Sequence, residues 1–162
     1  MVIFINGSIN SGKTTVAKIL VKKIPNTAHI EVDTLRSFIE FMPLDKSIPI
    51  NLENTVSLIK NFVKNKLNVI VTYPLSQKNY DLIAKNLEGL NDKIYYFTLN
   101  PKISSITDNK RGRNLTDWER ERIKYHYEIG INNPSFGKII DNTNQTPEET
   151  AESILKFLRK LE

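Results

Sequence analysis

The chain of 162 residues contains no cysteine, which excludes a disulfide framework and a thiolate zinc site. It also contains no apolar run that approaches the roughly 20 residues needed to span a bilayer. No basic segment with a cleavage site precedes the first apolar run, which begins at residue 2. Internal repeats, low-complexity tracts and Gly/Ser-rich linkers are absent as well. These absences predict one cytoplasmic domain over residues 1–162, not bound to a membrane.

The composition is ordinary for a globular protein, with 40% hydrophobic and 25% charged residues. A chain of this length can bury most of the surface that it exposes when unfolded. Lysine and arginine together number 23, against 18 aspartates and glutamates, so the formal net charge is +5. Such a charge suits nucleic-acid binding, but it suits equally a cleft that attracts polyphosphate. Charge alone therefore does not decide between these classes.

Short apolar runs alternate with segments of helical periodicity along the whole chain. The predicted strands cover residues 2–5, 28–32, 68–72, 93–99 and 138–140. The predicted helices include 34–41, 51–66 and 77–87, with a connector at 43–49. Capping boxes predict two further helix starts, at Thr116 and Thr146. Five strands separated by helices favour a three-layer α/β fold, in which helices cover both faces of a parallel sheet.

Residues 7–14 read GSINSGKT and match the pattern G-x-x-x-x-G-K-[ST] without a mismatch, between a predicted strand and a predicted helix. The glycines let successive backbone N–H groups turn inward, and the start of the helix adds unpaired N–H groups and a favourable dipole. This loop predicts binding of a nucleoside triphosphate, with Lys13 at the β and γ phosphates and the Thr14 hydroxyl on Mg²⁺. The predicted nucleotide-binding residues of the loop are Gly7, Ser8, Ile9, Asn10, Ser11, Gly12, Lys13, Thr14 and Thr15.

A second candidate site follows the second predicted strand, in the sequence EVDTLR at 31–36. Ligands of parallel sheets gather beyond the carboxyl ends of the strands, and Asp33 and Arg36 would lie there, one helical turn apart. The carboxylate could accept a proton from a substrate hydroxyl while the guanidinium holds an anionic substrate group. A helix N-cap at Asp33 with a solvated Arg36 is the alternative. The neighbouring phosphate loop favours the substrate site.

A basic segment at about 108–116 precedes the capping box that begins with Thr116. Lys110, Arg111 and Arg113 surround Gly112 there. Cations on a glycine-containing loop suit a lid that closes over transferring phosphates, although a basic surface loop has the same composition. The two histidines, His29 and His126, are expected to be structural and too far apart to form a ligand pair.

Taken together, these segments resemble the small P-loop kinases of the nucleoside-monophosphate-kinase and shikimate-kinase type, and within that group the chloramphenicol phosphotransferase-like enzymes. The resemblance rests on GSINSGKTT at 7–15, VDTL at 32–35 with FIEFMPL at 38–44, KRGR at 110–113 and IIDNTNQTPEE at 139–149. These stretches are spread over nearly the whole chain. The resemblance implies a P-loop fold with a five-stranded parallel sheet, with ATP and Mg²⁺ bound at the phosphate loop.

The same resemblance assigns roles to individual residues. Asp33 would be the base that activates the acceptor hydroxyl, and Arg111 and Arg113 would contact phosphates and adenine from the lid. The loop after the last strand, with Asn142 and Thr143, would border the adenine. Many of these kinases carry an acid at the end of the third strand that orients Mg²⁺ through water, whereas Thr72 stands there in this chain.

The sequence therefore predicts a phosphotransferase that moves the γ-phosphoryl group of ATP to a hydroxyl of a small molecule. Lys13, Asp33 and Arg113 are the predicted catalytic residues, Asp33 and Arg36 bind the acceptor, and Thr14 is the metal ligand. Three alternatives stay open: a nucleoside or nucleotide kinase, a polynucleotide 5′-kinase, and an ATP-binding regulatory module without an acceptor. The chain lacks the long basic stripe expected of a nucleic-acid binder. We expect a monomer or a homodimer.

Overall fold

The computed structural model of the chain describes residues 1–108 and 114–161. Within these residues, five parallel strands form one sheet in the order β2-β3-β1-β4-β5. The strands are β1 (Val2–Gly7), β2 (Thr27–Glu31), β3 (Asn68–Thr72), β4 (Ile94–Leu99) and β5 (Lys138–Ile140). β1 lies at the centre, hydrogen-bonded to β3 on one side and β4 on the other. The predicted α/β fold with a parallel sheet is confirmed.

Helices cover both faces of this sheet. The described residues form α1 (Lys13–Lys23), α2 (Val32–Arg36), α3 (Leu44–Lys64), α4 (Gln77–Asn86), α5 (Ile103–Thr107), α6 (Asp117–Glu128) and α7 (Pro147–Arg159). Successive side chains of β1 point to opposite faces. Val2 and Phe4 pack in a core with α3 and α4, whereas Ile3 and Ile5 pack in a second core with α1 and α7. None of these helices combines the length and apolar character that crossing a membrane requires.

The strand order places a crevice beside β1. From β1 the chain continues to β2 and β3, which both lie on one side of β1 within the sheet. It then crosses to β4, which lies on the other side of β1. Where connections diverge in this way, the loops beyond the carboxyl ends of the strands leave room for a ligand. The phosphate loop, which follows β1 directly, lies at this point.

Local sequence signals set several boundaries correctly. Thr116 with Glu119 and Thr146 with Glu149 form complete capping boxes at the starts of α6 and α7. β3 and β5 have the predicted bounds, and β1 continues to Gly7.

The predictions for two segments are wrong, and most other boundaries shift by no more than two residues. The helix predicted at 34–41 is α2, which begins at Val32 and ends at Arg36. Val32, predicted as the last residue of the second strand, instead begins the helix and packs in the core with residues of α3. The predicted connector at 43–49 belongs to α3, which contains Pro49. Proline in a helix removes one backbone donor. Since Pro49 lies early in a helix of 21 residues whose later turns pack on the core, the helix tolerates that loss.

Candidate active site

A cleft of about 560 Å³ opens at the carboxyl ends of β1, β2 and β3. Its two ends differ in the residues that line them. The phosphate side consists of the phosphate loop at residues 7–14 and Glu31. The acceptor side consists of Asp33, Arg36, Tyr73, Trp118 and Arg122. The sequence-predicted residues Lys13, Thr14, Asp33 and Arg36 all line this one cleft.

The backbone of the phosphate loop requires glycine at both ends. Gly7 has a φ of 142°, and a Cβ there would lie 2.7 Å from the carbonyl oxygen of Leu99. Gly12 has a φ of 97° and is the N-cap of α1. Because Gly12 has no side chain, it leaves the amides in the first turn of α1 to a ligand. The loop is therefore shaped for an anion by its main chain.

Lys13 and Thr14 are the first two residues of α1. The Lys13 ammonium donates a hydrogen bond to the carbonyl oxygen of Ser8, at 2.7 Å, and so lies across the loop. The Thr14 hydroxyl donates to Oε1 of Glu31, also at 2.7 Å. The predicted contacts of Lys13 with phosphate and of Thr14 with Mg²⁺ stay predictions.

Glu31 is absent from the residues that the sequence predicts for the site. It is the last residue of β2, and its register partner on β3 is Thr72. A carboxylate therefore lies one strand further along the sheet than Thr72 and accepts the hydrogen bond of the Thr14 hydroxyl. A sequence signal for it exists, since Glu31 and Asp33 are two carboxylates at the end of one strand.

These side chains fit a magnesium ion in the chemistry of their donor atoms. Thr14 and Glu31 present hydroxyl and carboxylate oxygens, which are the ligands that Mg²⁺ prefers. Among the described residues, no three His, Asp or Glu side chains form a complete protein cage for a metal. A magnesium ion here would therefore complete its coordination with phosphate oxygens and water, as is usual for this ion.

Asp33 is the second residue of α2 and opens onto the cleft. The surrounding protein desolvates its carboxyl group and raises its pKa above the ordinary value. The charges of Lys13 and Arg36 act in the opposite direction, and that of Glu31 raises the pKa further. A carboxylate with a raised pKa is a stronger proton acceptor, which suits a general base.

Two helices that were not predicted to touch the phosphate loop hold it in place. His126, on α6, is buried, and its Nδ1 lies 3.1 Å from the Ser8 hydroxyl. Asn10 donates a hydrogen bond of 2.9 Å to the carbonyl oxygen of Ile106, on α5. Burial, with the charges of Arg122 and Lys13, lowers the pKa of His126 to about 4, so the imidazole is neutral near pH 7.

Asn142 and Thr143, which the resemblance places beside the adenine, do not line this cleft. Asn142 is buried behind the phosphate loop and donates a hydrogen bond of 3.0 Å to the carbonyl oxygen of Ser11. The Thr143 hydroxyl accepts a hydrogen bond from the backbone N–H of Lys102. Their contact with adenine stays a prediction. Arg111 and Arg113 lie outside the described residues.

The acceptor side contains three residues without a sequence motif: Tyr73 directly after β3, and Trp118 and Arg122 on α6. Burial, followed by the charge of Asp33, raises the pKa of Tyr73 to about 12, so the phenol stays protonated. Trp118 is 56% exposed at the cleft. His29, expected to be structural, has its Nε2 3.1 Å from the Thr72 hydroxyl.

Comparison with known proteins agrees with this fold. No family model matches the chain. A protein of Sulfurisphaera tokodaii named "Putative adenylate kinase" is 29% identical, over 96% of this chain and 81% of its own length. A sugar kinase from Janibacter superposes with a TM-score of 0.74 at 18% identity, over 98% of this chain and 94% of that one. A gluconokinase from Sinorhizobium meliloti superposes with a TM-score of 0.73 at 18% identity, over 98% and 91%. The chain has the fold of the P-loop kinases.

Proposed function

We propose that this protein is an ATP-dependent kinase that transfers the γ-phosphoryl group to a hydroxyl of a small molecule. One observation carries the proposal: a single cleft brings together the phosphate loop with Lys13, the oxygen ligands of Thr14 and Glu31, and the Asp33 carboxylate. Phosphoryl transfer depends mainly on alignment and on neutralising charge, and these groups supply both.

The phosphate side would bind the triphosphate. The backbone amides between Gly7 and Gly12, and those in the first turn of α1, offer donors to the phosphate oxygens. Lys13 would exchange its hydrogen bond with the Ser8 carbonyl for one with a phosphate oxygen, which carries more negative charge. Thr14 and Glu31 would hold Mg²⁺. The ion, when bound, neutralises negative charge on the β and γ phosphates.

Asp33 would receive the proton of the acceptor. The hydroxyl oxygen attacks the γ-phosphorus, and the new O–P bond forms as the bond to the bridging β–γ oxygen breaks. ADP leaves with that electron pair, and the hydroxyl proton passes to the Asp33 carboxylate. Because desolvation raises the pKa of Asp33, the carboxylate holds this proton more readily than an aspartate of ordinary pKa would.

A nucleoside-monophosphate kinase is the second candidate, because the curated relative at 29% identity is named an adenylate kinase. The acceptor would then be a phosphate group, which carries no proton that a base must remove near pH 7. Asp33 distinguishes the two candidates. Its replacement by asparagine should depress transfer to a hydroxyl strongly and transfer to a phosphate little.

The test is an acceptor screen with purified protein, ATP and Mg²⁺, read as release of ADP. The panel contains sugars, sugar acids, nucleosides, nucleoside monophosphates and an oligonucleotide with a free 5′-hydroxyl. We expect ADP release that depends on one class of added hydroxyl compound. Failure of ATP to stabilise the protein against heat would exclude a kinase. ATP binding without any acceptor-dependent ADP release would instead support a regulatory module.

A further inference from the structure

His126 meets the phosphate loop with one nitrogen of its ring and leaves the other nitrogen without a partner among the described residues. Its Nδ1 lies 3.1 Å from the Ser8 hydroxyl. Its Nε2 makes no hydrogen bond with the described residues, and it is not one of their fully buried polar atoms that lack a partner, so solvent reaches it. His126 as a whole is only 2% exposed, and it lines the cleft. The edge of the ring that carries Nε2 therefore opens into the cleft.

The Ser8 hydroxyl determines which nitrogen of the ring carries the proton. Ser8 is fully buried, and within residues 1–108 and 114–161 its hydroxyl makes no hydrogen bond except the one with Nδ1 of His126. A buried hydroxyl proton needs an acceptor, so the hydroxyl donates to Nδ1. Burial, with the charges of Arg122 and Lys13, lowers the pKa of His126 and keeps the imidazole neutral near pH 7. A neutral ring that accepts at Nδ1 has its proton on Nε2, which is then a donor.

The helix α6 brings His126 to the junction between the two sides of the cleft. Trp118, Arg122 and His126 are spaced by four residues on α6 and all line the cleft. Trp118 and Arg122 belong to the acceptor side, whereas His126 contacts Ser8 in the phosphate loop. The Lys13 ammonium contacts the same residue, at its carbonyl oxygen. A phosphoryl group that passes from ATP to an acceptor has to lie at this junction.

We propose that Nε2 of His126 donates a hydrogen bond to a γ-phosphate oxygen of ATP, which makes His126 a further catalytic residue. The inference rests on the proposed function, because it requires ATP in the phosphate loop. Lys13 supplies a full positive charge to the triphosphate, and His126 adds a neutral donor of fixed direction. ADP has no γ-phosphate and gains nothing from Nε2. His126 thus distinguishes ATP from ADP, which a residue that only supports the loop does not do.

The experiment compares two substitutions that each keep one half of the imidazole. Asparagine places its amide near the position of Nδ1 and can accept a hydrogen bond from Ser8. Glutamine places its amide near the position of Nε2 and can donate to a phosphate. The full chain, with Mg²⁺, is titrated by calorimetry with ADP and with a non-hydrolysable ATP analogue, and the two dissociation constants are compared.

His126→Asn should weaken binding of the ATP analogue about tenfold and binding of ADP less than about twofold. His126→Gln should weaken binding of both nucleotides by a similar factor, because the loop loses its contact with α6 while the donor to the γ-phosphate stays. Lys124→Gln, on the exposed face of α6, is the matched control and should change neither constant. A cooperative thermal transition of each variant without nucleotide establishes that it folds.

A measurement on the wild type keeps the inference testable if a variant does not fold. The chain has two histidines, so ¹⁵N spectra of the histidine side chains contain two rings, and His29→Gln identifies the ring of His126. Its Nε2 should carry the proton in the free protein. The Nε2 resonance should shift more with the ATP analogue than with ADP.

Equal losses of both nucleotides in His126→Asn, a selective loss of the ATP analogue in His126→Gln, no loss in either variant, or an Nε2 resonance that responds alike to both nucleotides would overturn the inference. In the first of these cases His126 only supports the phosphate loop. The proposed function fails separately, when neither nucleotide binds the wild-type chain.

Discussion

The two sides of the cleft are built in different ways. On the phosphate side, the main chain and short side chains form many contacts within the protein, such as Lys13 to Ser8, Thr14 to Glu31 and Asn10 to Ile106. On the acceptor side, Arg36, Tyr73 and Arg122 have no hydrogen bond to the described residues. The phosphate side is therefore held in one arrangement by the protein itself, whereas these three acceptor-side side chains are not fixed by hydrogen bonds to the described residues.

This difference separates triphosphate binding, which the fold provides, from acceptor selection, which depends on the individual protein. A triphosphate is the same in every ATP-dependent reaction, so a fixed backbone loop can serve it. The acceptor differs between enzymes that share a fold, and side chains from separate elements select it. Changes on the phosphate side should consequently reduce transfer to every acceptor, and changes on the acceptor side should depend on the acceptor used.

Lys13→Ala should have the largest effect. Loss of its charge from the triphosphate should reduce kcat by about 10³-fold for every acceptor, because transfer relies on neutralising that charge. The free energy of unfolding should change little, since Lys13 fills no core cavity. ADP release and urea denaturation measure the two quantities, with Lys18→Ala on the exposed face of α1 as control. A Lys13→Ala protein with full turnover would contradict the proposed role of the loop.

Asp33→Asn should have the second largest effect. It should change transfer to the acceptor without changing nucleotide binding on the phosphate side. Kcat for a hydroxyl acceptor should fall about 10²-fold or more, while the affinity for the ATP analogue stays within a few-fold. In the wild type, the base must be deprotonated, and its pKa is raised above the ordinary value. Kcat/KM should therefore decrease as pH falls through this raised pKa, and the variant should lack that limb of the profile.

Asp33→Asn should also change the free energy of unfolding, and the raised pKa of Asp33 sets the direction of that change. Since the pKa of Asp33 is raised in the folded state, folding is favoured by its protonated form. The group's contribution to stability is present at low pH and is lost as pH rises through the folded pKa. Asp33→Asn should thus stabilise the protein slightly near pH 7, and chemical denaturation at several pH values measures this. Asp45→Asn, exposed in α3, should show neither effect.

The sequence allows much of the phosphate side to be predicted and little of the acceptor side. The loop is encoded within eight consecutive residues, and the fold follows from the alternation of apolar runs and helical segments. Asp33 and Arg36 are also found from local spacing. Tyr73 and Arg122, by contrast, come from segments far apart in the sequence and line one cleft only in the folded chain, which short-range patterns do not encode.

The predicted start of α3 was wrong for a related reason. Pro49 is a strong local signal against a helix, but the apolar residues of α3 that follow it pack against the sheet and keep the segment helical. Glu31 could be seen in the sequence, but its place in the site could not. Its position two residues before Asp33 is visible in the sequence, and its role depends on the strand order, which places it beside Thr72.

Glu31→Gln should have a smaller effect than Asp33→Asn, confined to the metal. The variant keeps a hydrogen bond to Thr14 but loses the negative charge, so the Mg²⁺ concentration for half-maximal activity should rise about 10- to 100-fold. Calorimetry of the ATP analogue with and without Mg²⁺ should show that only the metal-dependent part of binding is lost. Glu53→Gln, an exposed carboxylate of α3, is the control. An unchanged Mg²⁺ dependence would remove Glu31 from the metal site.

His126→Gln should have the smallest effect on activity. It weakens one hydrogen bond to the phosphate loop, so the KM for ATP should rise about fivefold with kcat nearly unchanged. The larger consequence concerns stability. Because burial lowers the pKa of His126 from 6.5 to about 4, the unfolded chain binds a proton that the folded chain does not.

The contribution of His126 to stability is therefore complete above the unfolded pKa and is lost as pH falls towards the folded pKa, by about 3 kcal/mol at most. Urea denaturation between pH 7 and pH 4 should give a shallower pH dependence for His126→Gln than for the wild type. His29→Gln provides the comparison, since burial also lowers the pKa of His29, which contacts Thr72 and not the phosphate loop. If both variants alter the KM for ATP equally, the contact between α6 and Ser8 does not position the loop.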